Sequence, residues 1–196
     1  MNIIVKLVGT SPLLMHNPQM VDPEFEIKRQ ISVLTAKRKK TDDDLKQIEA
    51  LEWYGGFYGQ VAPDGTTIAV QPSSKVRKCL VNTARISKMG KQIERAVSFT
   101  QLNVPLIHDG PKDIHALHAL PEYRSRLSVG LMGKRVMRVR PQFPRWALEI
   151  PGIFIEDAGM NIDDLKRVVE LAGQVEGIGD NRVNGYGRFE GTVHIG

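Results

Sequence analysis

The spacing of apolar residues divides the chain into alternating extended and helical stretches. Ile3, Val5 and Leu7 alternate with polar or smaller residues over 2–8, the two-residue period of a strand. Pro12, Pro18 and Pro23 make 9–23 mostly loop. Ile27, Ile31 and Leu34 share a helical face within 24–38. Thr41 is a good N-cap, with Asp44 three residues on as in a capping box. The helix it starts carries Leu45, Ile48 and Leu51 and runs to about Trp53, with Gly55-Gly56 ending it. Asp64-Gly65 signals a turn and 66–70 reads as extended. Pro72-Ser73-Ser74 opens a helix over 73–88, with Val76, Cys79, Leu80, Thr83 and Ala84 on one face and Gly90 ending it. Residues 96–107 read as extended, 108–111 as a turn, and 134–140 and 146–155 as strands. Asn161 caps a last helix over 162–174, whose apolar face is Ile162, Leu165, Val168, Val169 and Ala172. A glycine-rich loop, 177–187, leads into a final strand, 189–195.

This order fits an α+β fold, an antiparallel sheet with two helices packed on one face. At 196 residues the chain suits one domain, in which 10–60 reads as an insertion after the first strand. With 41% hydrophobic and 25% charged residues, the composition is that of an ordinary soluble globular protein. The single cysteine, Cys79, excludes an internal disulfide and fits a reducing, cytoplasmic setting. No apolar run approaches the roughly 20 residues that cross a membrane, so no membrane partner is expected. The first residues read as a strand rather than a signal peptide.

Charge adds a direction. The net charge is +5, and its distribution is uneven. Arg124, Arg126, Lys134, Arg135, Arg138, Arg140 and Arg145 follow one another without an acid between them. Lys75 to Arg95 holds seven basic residues and one acid, Glu94, while acids gather at 42–44 and 156–164. If 134–140 is a strand, Lys134, Arg138 and Arg140 share a face and repel one another unless an anion is near. Such segregation attracts phosphate. Lys37-Arg38-Lys39-Lys40 is a second basic run, read as a solvated corner or a mobile arm.

Two motifs stand out. In Gly177-Ile178-Gly179-Asp180-Asn181-Arg182-Val183-Asn184-Gly185-Tyr186-Gly187-Arg188-Phe189, glycines permit positive φ and close approach, exposed amides can take phosphate oxygens, Arg182 and Arg188 add charge, and Tyr186 can stack on a base. The plain alternative is a helix-to-strand connection whose glycines only satisfy geometry. In 68–78, a strand runs into a helix start with Ser73, Ser74, Lys75 and Lys78 nearby, either a phosphate site or an ordinary helix start with a solvated basic face.

Together these motifs resemble the RAMP superfamily, which contains the RNA-binding subunits of CRISPR effector complexes. Val70 to Lys78 echoes its hydrophobic–Pro–Gly–Ser–Ser–hydrophobic–Lys–Gly stretch, without the glycine after Pro72, and 177–189 resembles its glycine-rich signature before the last strand. The chain is also similar to small phage-encoded proteins that share a stretch like Pro12-Leu13-Leu14-Met15-His16-Asn17. The resemblance implies a ferredoxin-like (RNA-recognition-like) core, a thumb-like insertion at 10–60, and subunits repeated along a strand. The expected partner is single-stranded RNA or DNA, bound as a homo-oligomer or within a nucleoprotein complex. The expected nucleic-acid-binding residues are Ser73, Ser74, Lys75, Lys78, Arg124, Arg126, Lys134, Arg135, Arg138, Arg140, Arg182, Tyr186 and Arg188.

Catalytic candidates are few, and neither a catalytic residue nor a cofactor or metal is expected. His108, His115 and His118 have no cysteine beside them and match no zinc spacing. His16 and Asp22 follow the first strand, where the resemblance places cleavage residues of some members, but no matching motif surrounds them. A metal-independent RNA endonuclease is the alternative reading. A phage protein that binds a host complex by mimicking one of its subunits is another.

Overall fold

The computed structural model describes residues 1–131 and 133–196, apart from the side chains of Leu131 and Lys134. In chain order the elements are β1 (Asn2–Gly9), β2 (Leu13–Leu14), α1 (Glu26–Ala36), α2 (Asp42–Gly56), β3 (Gly59–Val61), β4 (Thr67–Pro72), α3 (Ser73–Ala84), α4 (Gly90–Ala96), β5 (Val97–Phe99), β6 (Asn103–Pro105), β7 (Ile107–His108), α5 (Ile114–Ala119), β8 (Arg124–Leu131), β9 (Lys134–Phe143), β10 (Trp146–Phe154), α6 (Ile162–Val175) and β11 (Phe189–Ile195). The fold is mixed α and β, and its sheets are antiparallel.

The main sheet has the order β11-β1-β10-β5, with β7 also on β10. Alternation along β1 sends Ile3, Val5 and Leu7 inward, where they are at most 2% exposed. They meet α3 and α6 through Val76, Leu80, Ala84, Leu165, Val168, Val169 and Ala172, all buried as their helical spacing predicts. Cys79 is packed in the same core, and burial pushes its thiol up to about 12. Two capping boxes start helices where expected, Thr41 with Asp44 and Asn161 with Asp164.

Three expectations need correcting. Gly90 does not end the helix begun at Ser73; Lys88, at φ 60°, makes the turn, and Gly90 starts α4. Residues 96–107 break into three short strands rather than one extended run. Between them and β9, the chain forms α5, capped by Asp113, and β8, neither of which was predicted. Leu127, Val129 and Leu131 alternate with Arg126, Ser128 and Gly130, a period of two that was available in the sequence but was read only for its charge.

A second sheet, β2-β9-β8, is built around the β8–β9 hairpin. The helical pair α1–α2 packs against it, and Trp53 of α2 is fully buried, donating its indole N–H to the Tyr123 carbonyl at 2.8 Å. A third sheet, β3-β4-β6, leads into α3.

The glycine-rich loop joins the sheets. Gly187 N–H donates to the Pro12 carbonyl at 2.8 Å, and Asp180 N–H to the Leu14 carbonyl at 2.9 Å. Gly179 and Gly187 have φ of 83° and 68°, and a Cβ on either would run into backbone, the Leu14 and Ile178 carbonyls respectively. Gly185, at φ 85°, faces open space. Gly187→Ala is therefore expected to cost about 2–4 kcal/mol, from strain and overpacking together. Gly185→Ala meets only the left-handed penalty of about 1 kcal/mol. By thermal melting the first variant should lose roughly 5–15 °C and the second roughly 2–4 °C; equal losses would contradict the docking of this loop.

Candidate functional site

The hairpin register sorts the basic residues by face. Arg138 lies opposite Leu127 and Arg140 opposite Ser125, so both point to one side; Arg124 and Arg126, opposite Pro141 and Val139, point to the other. Arg138 and Arg140 share a face, as their spacing predicts. The side chain of Lys134 lies outside the described residues.

The cations are not free of acids. Glu52 of α2, only 7% exposed, accepts from Arg138 Nη1 and, at 3.0 Å, from the Val139 N–H. Asp180 of the glycine-rich loop pairs with Arg140, Glu49 with Arg126, and Asp109 with Arg145. The repulsion anticipated within the hairpin is thus relieved by acids distant in sequence. Arg124 and Arg135 are exposed and have no carboxylate within ion-pair reach among the described residues.

The loop amides are largely spoken for. Those of Gly177, Ile178, Asp180, Asn184, Gly185 and Gly187 donate to backbone carbonyls, and that of Arg188 to the Ser11 hydroxyl. The phosphate cradle expected there is therefore mostly closed, and Gly177, Gly179 and Gly187 serve the backbone path. Arg182 pairs with Glu176, and its carbonyl accepts from Arg188 Nη2 at 3.2 Å. Burial opposes the Glu176 charge, but Asn82, Arg182 and Arg188 outweigh it and hold the carboxyl below its ordinary value. Tyr186 is half-buried and makes no side-chain hydrogen bond among the described residues.

At the start of α3, Ser73 is buried and gives both its N–H and its hydroxyl to the Leu102 carbonyl, at 2.9 and 3.2 Å, so it is withdrawn from ligand binding. Ser74, Lys75 and Lys78 are exposed. Gln71, just before this helix start, is 1% exposed and finds no partner for either side-chain polar atom among the described residues.

The open face of the main sheet carries Ile4, Lys6, Val8, Ala147, Glu149, Pro151, Ile153, Glu190, Thr192 and His194. None is Phe, Tyr or Trp, and Lys6 is paired with Glu149 at 2.8 Å. Base stacking on this face, the mode of RNA-recognition-like sheets, has no aromatic platform here.

What the tertiary structure assembles instead is a pocket of about 450 Å³ between α1, α2 and the hairpin, lined by His16, Met20, Lys28, Glu52, Arg138 and Arg140 among others. Partial burial, then Arg140, Lys75 and Arg138, hold the His16 imidazole below its usual value, with Glu52 acting the other way. Asp22 sits in the loop beyond, where its carboxylate accepts the Glu24 N–H at 2.9 Å, a turn-forming role. Lys28, Glu49, Glu52 and Asp180 were missed from sequence. The acids at 49 and 52, beside the apolar stripe that ends in Trp53, were the signal available.

No protein-family model and no curated protein matches the chain.

Three of the other four histidines belong to an aromatic array, and His194 lies on the open sheet face beside Thr192. His118 lies 5.0 Å from Trp53 and 4.9 Å from Tyr54, His115 Nδ1 is 2.9 Å from the Tyr54 hydroxyl, and His108 lies 5.1 Å from Phe143. Among the described residues no group of three or more His, Cys, Asp or Glu is placed to hold a metal ion.

Two outcomes are expected. His16, His108 and His118 all titrate below the ordinary value of 6.5, with burial as the largest cause, so each binds its proton less readily folded than unfolded. Their contribution is complete above that value and is lost as pH falls below it. Melting temperature should start to drop below about pH 6.5, ahead of carboxylate titration, and less steeply in a His108→Gln variant. Gln71→Met keeps volume and removes two unmet polar atoms, so it should leave the melting temperature level or raise it; a fall of several degrees would show that these atoms have a partner in solution.

Proposed function

We propose that this protein binds single-stranded nucleic acid, RNA or DNA, as a RAMP-like protein whose subunits line up along the strand. The observation that carries this reading is the pocket in which His16, Lys28, Arg138 and Arg140 meet, although they come from separate segments. Arg138 and Arg140 each give one guanidinium nitrogen to a carboxylate and keep the others for a ligand. A guanidinium held in this way is preorganised for phosphate oxygens, while Lys28 and Lys75 add charge with no carboxylate in ion-pair reach among the described residues.

The chain order supports a ferredoxin-like core. Taking β1, α3, β5, β10, α6 and β11 as the frame gives a strand–helix–strand–strand–helix–strand sequence with the sheet order β11-β1-β10-β5. Residues 10–60 then stand as the insertion that brings α1 and α2 to the hairpin. Contact with phosphates along the hairpin, rather than stacking on the sheet, is the binding mode this arrangement favours.

A metal-independent RNA endonuclease is the second reading, favoured by His16. An imidazole held neutral among cations suits a general base, with the cations receiving the phosphate.

The test is fluorescence anisotropy with single-stranded oligonucleotides at several salt concentrations. Phosphate contacts through Lys28, Lys75, Arg138 and Arg140 give an expected log–log salt slope of about −3 for a single strand. Lys28→Gln and Lys75→Gln should each weaken binding about three- to tenfold with unchanged melting temperatures. Affinity that does not change with salt would overturn the reading. Labelled RNA that is retarded but not shortened separates binder from nuclease; shortening that disappears in His16→Ala would favour the nuclease.

A further inference from the structure

On the opposite face of the hairpin a second cleft, of about 470 Å³, lies between α2 and the turn that follows α5. Its charge comes from Lys46, Arg124 and Arg126 against one acid, Glu49. Arg126 spends its guanidinium on that acid, with Nε and Nη2 at 2.9 and 2.8 Å from Glu49 Oε1. Lys46 and Arg124 are exposed and have no carboxylate within ion-pair reach among the described residues, which leaves two uncompensated cations at the rim. The floor is apolar, formed by Ala50, Pro121 and Val139. His118 lines the wall and makes no side-chain hydrogen bond among the described residues. Its ring is set by contacts with Trp53 and Tyr54, so it offers a nitrogen in a fixed place. Burial, then Arg124 and His115, hold it below its usual value, in the neutral form that can donate and accept.

A ligand for this cleft needs a compact anion for the two cations, a flat apolar body for the floor and a polar edge for the imidazole. The volume falls within the range of about 300–1,000 Å³ usual for small-molecule sites. We propose that the cleft between α2, Pro121 and the Arg124–Arg126 face of the hairpin binds a nucleoside 5′-monophosphate unit. Such a unit comes either as a free mononucleotide or as the 5′-phosphorylated end of a strand. Only the second source rests on the function proposed above.

The experiment is calorimetric titration of the full chain with UMP, AMP and inorganic phosphate, and with one oligonucleotide carrying either a 5′-phosphate or a 5′-hydroxyl. Saturable binding of UMP or AMP, tighter than that of inorganic phosphate, is expected if the free nucleotide is the source. Preference for the 5′-phosphorylated oligonucleotide without binding of free nucleotide is expected if the strand end is the source. In either case Lys46→Gln and Arg124→Gln should each weaken nucleotide binding, or cut the preference for the 5′-phosphate, about tenfold, whereas Lys28→Gln, in the other pocket, should leave nucleotide affinity and the 5′-phosphate preference unchanged. Failure of both ligand classes, inorganic phosphate binding as tightly as UMP, or indifference to Arg124→Gln would overturn the proposal. Strand binding that survives these failures and weakens in Lys28→Gln would leave the first pocket standing by itself.

Discussion

Between α6 and β11 the backbone passes so close to Leu13 and Leu14 that Gly179 has no room for a Cβ. This approach is the constraint on which the candidate site depends. Gly9 pairs with Phe189 where β1 leaves the main sheet and β11 enters it. From there the two segments run together, with Thr10 N–H on the Arg188 carbonyl, Gly187 N–H on Pro12 and Asp180 N–H on Leu14. Ser11 is held twice more, through its hydroxyl and through its carbonyl, which accepts from the Trp146 indole. The pairing aligns β2 for β9 and sets His16 two residues beyond β2. It also delivers Asp180 to Arg140. The loop's part in the site is to place other groups rather than to hold a phosphate on its own amides.

The second organising element is α2. Its acids reach both faces of the hairpin, Glu52 toward Arg138 and Glu49 toward Arg126. Each pair cancels charge locally and so weakens the field that the basic run suggests when read along the sequence. Each also fixes a long side chain whose rotamer freedom would otherwise be lost on binding. The trade is less steering from afar for better-aligned donors at contact. Burying Glu52 is tolerable because it meets both a guanidinium and a backbone N–H, and that N–H would otherwise lack a partner on the edge of β9.

The same hairpin separates two clefts of similar size with different characters. One is lined by His16 and Lys28 together with Arg138 and Arg140. The other, with His118 and Arg124, faces the aromatic array around Trp53. The open face of the main sheet has no Phe, Tyr or Trp for stacking, and its lysine, Lys6, is paired with Glu149. Exposed cations without a carboxylate partner among the described residues, Lys46 and Arg124, lie instead on the hairpin and its helical support.

Elements with strong local signals were legible in the sequence. The caps at Thr41 and Asn161, the period of two in β1 and the apolar faces of α3 and α6 act over a few residues, and each appears where the pattern puts it. The run 96–123 was not legible, because short strands and a six-residue helix carry too little periodicity to register. Arg138 and Arg140 could be placed on one face from spacing alone. The carboxylates that hold them could not, since Glu52 and Asp180 lie 86 and 40 residues away and only long-range packing brings them in. The glycines of 177–187 were visible as residues that permit close approach, but what approaches them is another segment of the same chain. The sequence by itself determined the local elements and the sign of the charge. Tertiary structure decided which charges remain unpaired and where they converge, because ion pairing depends on distance in space.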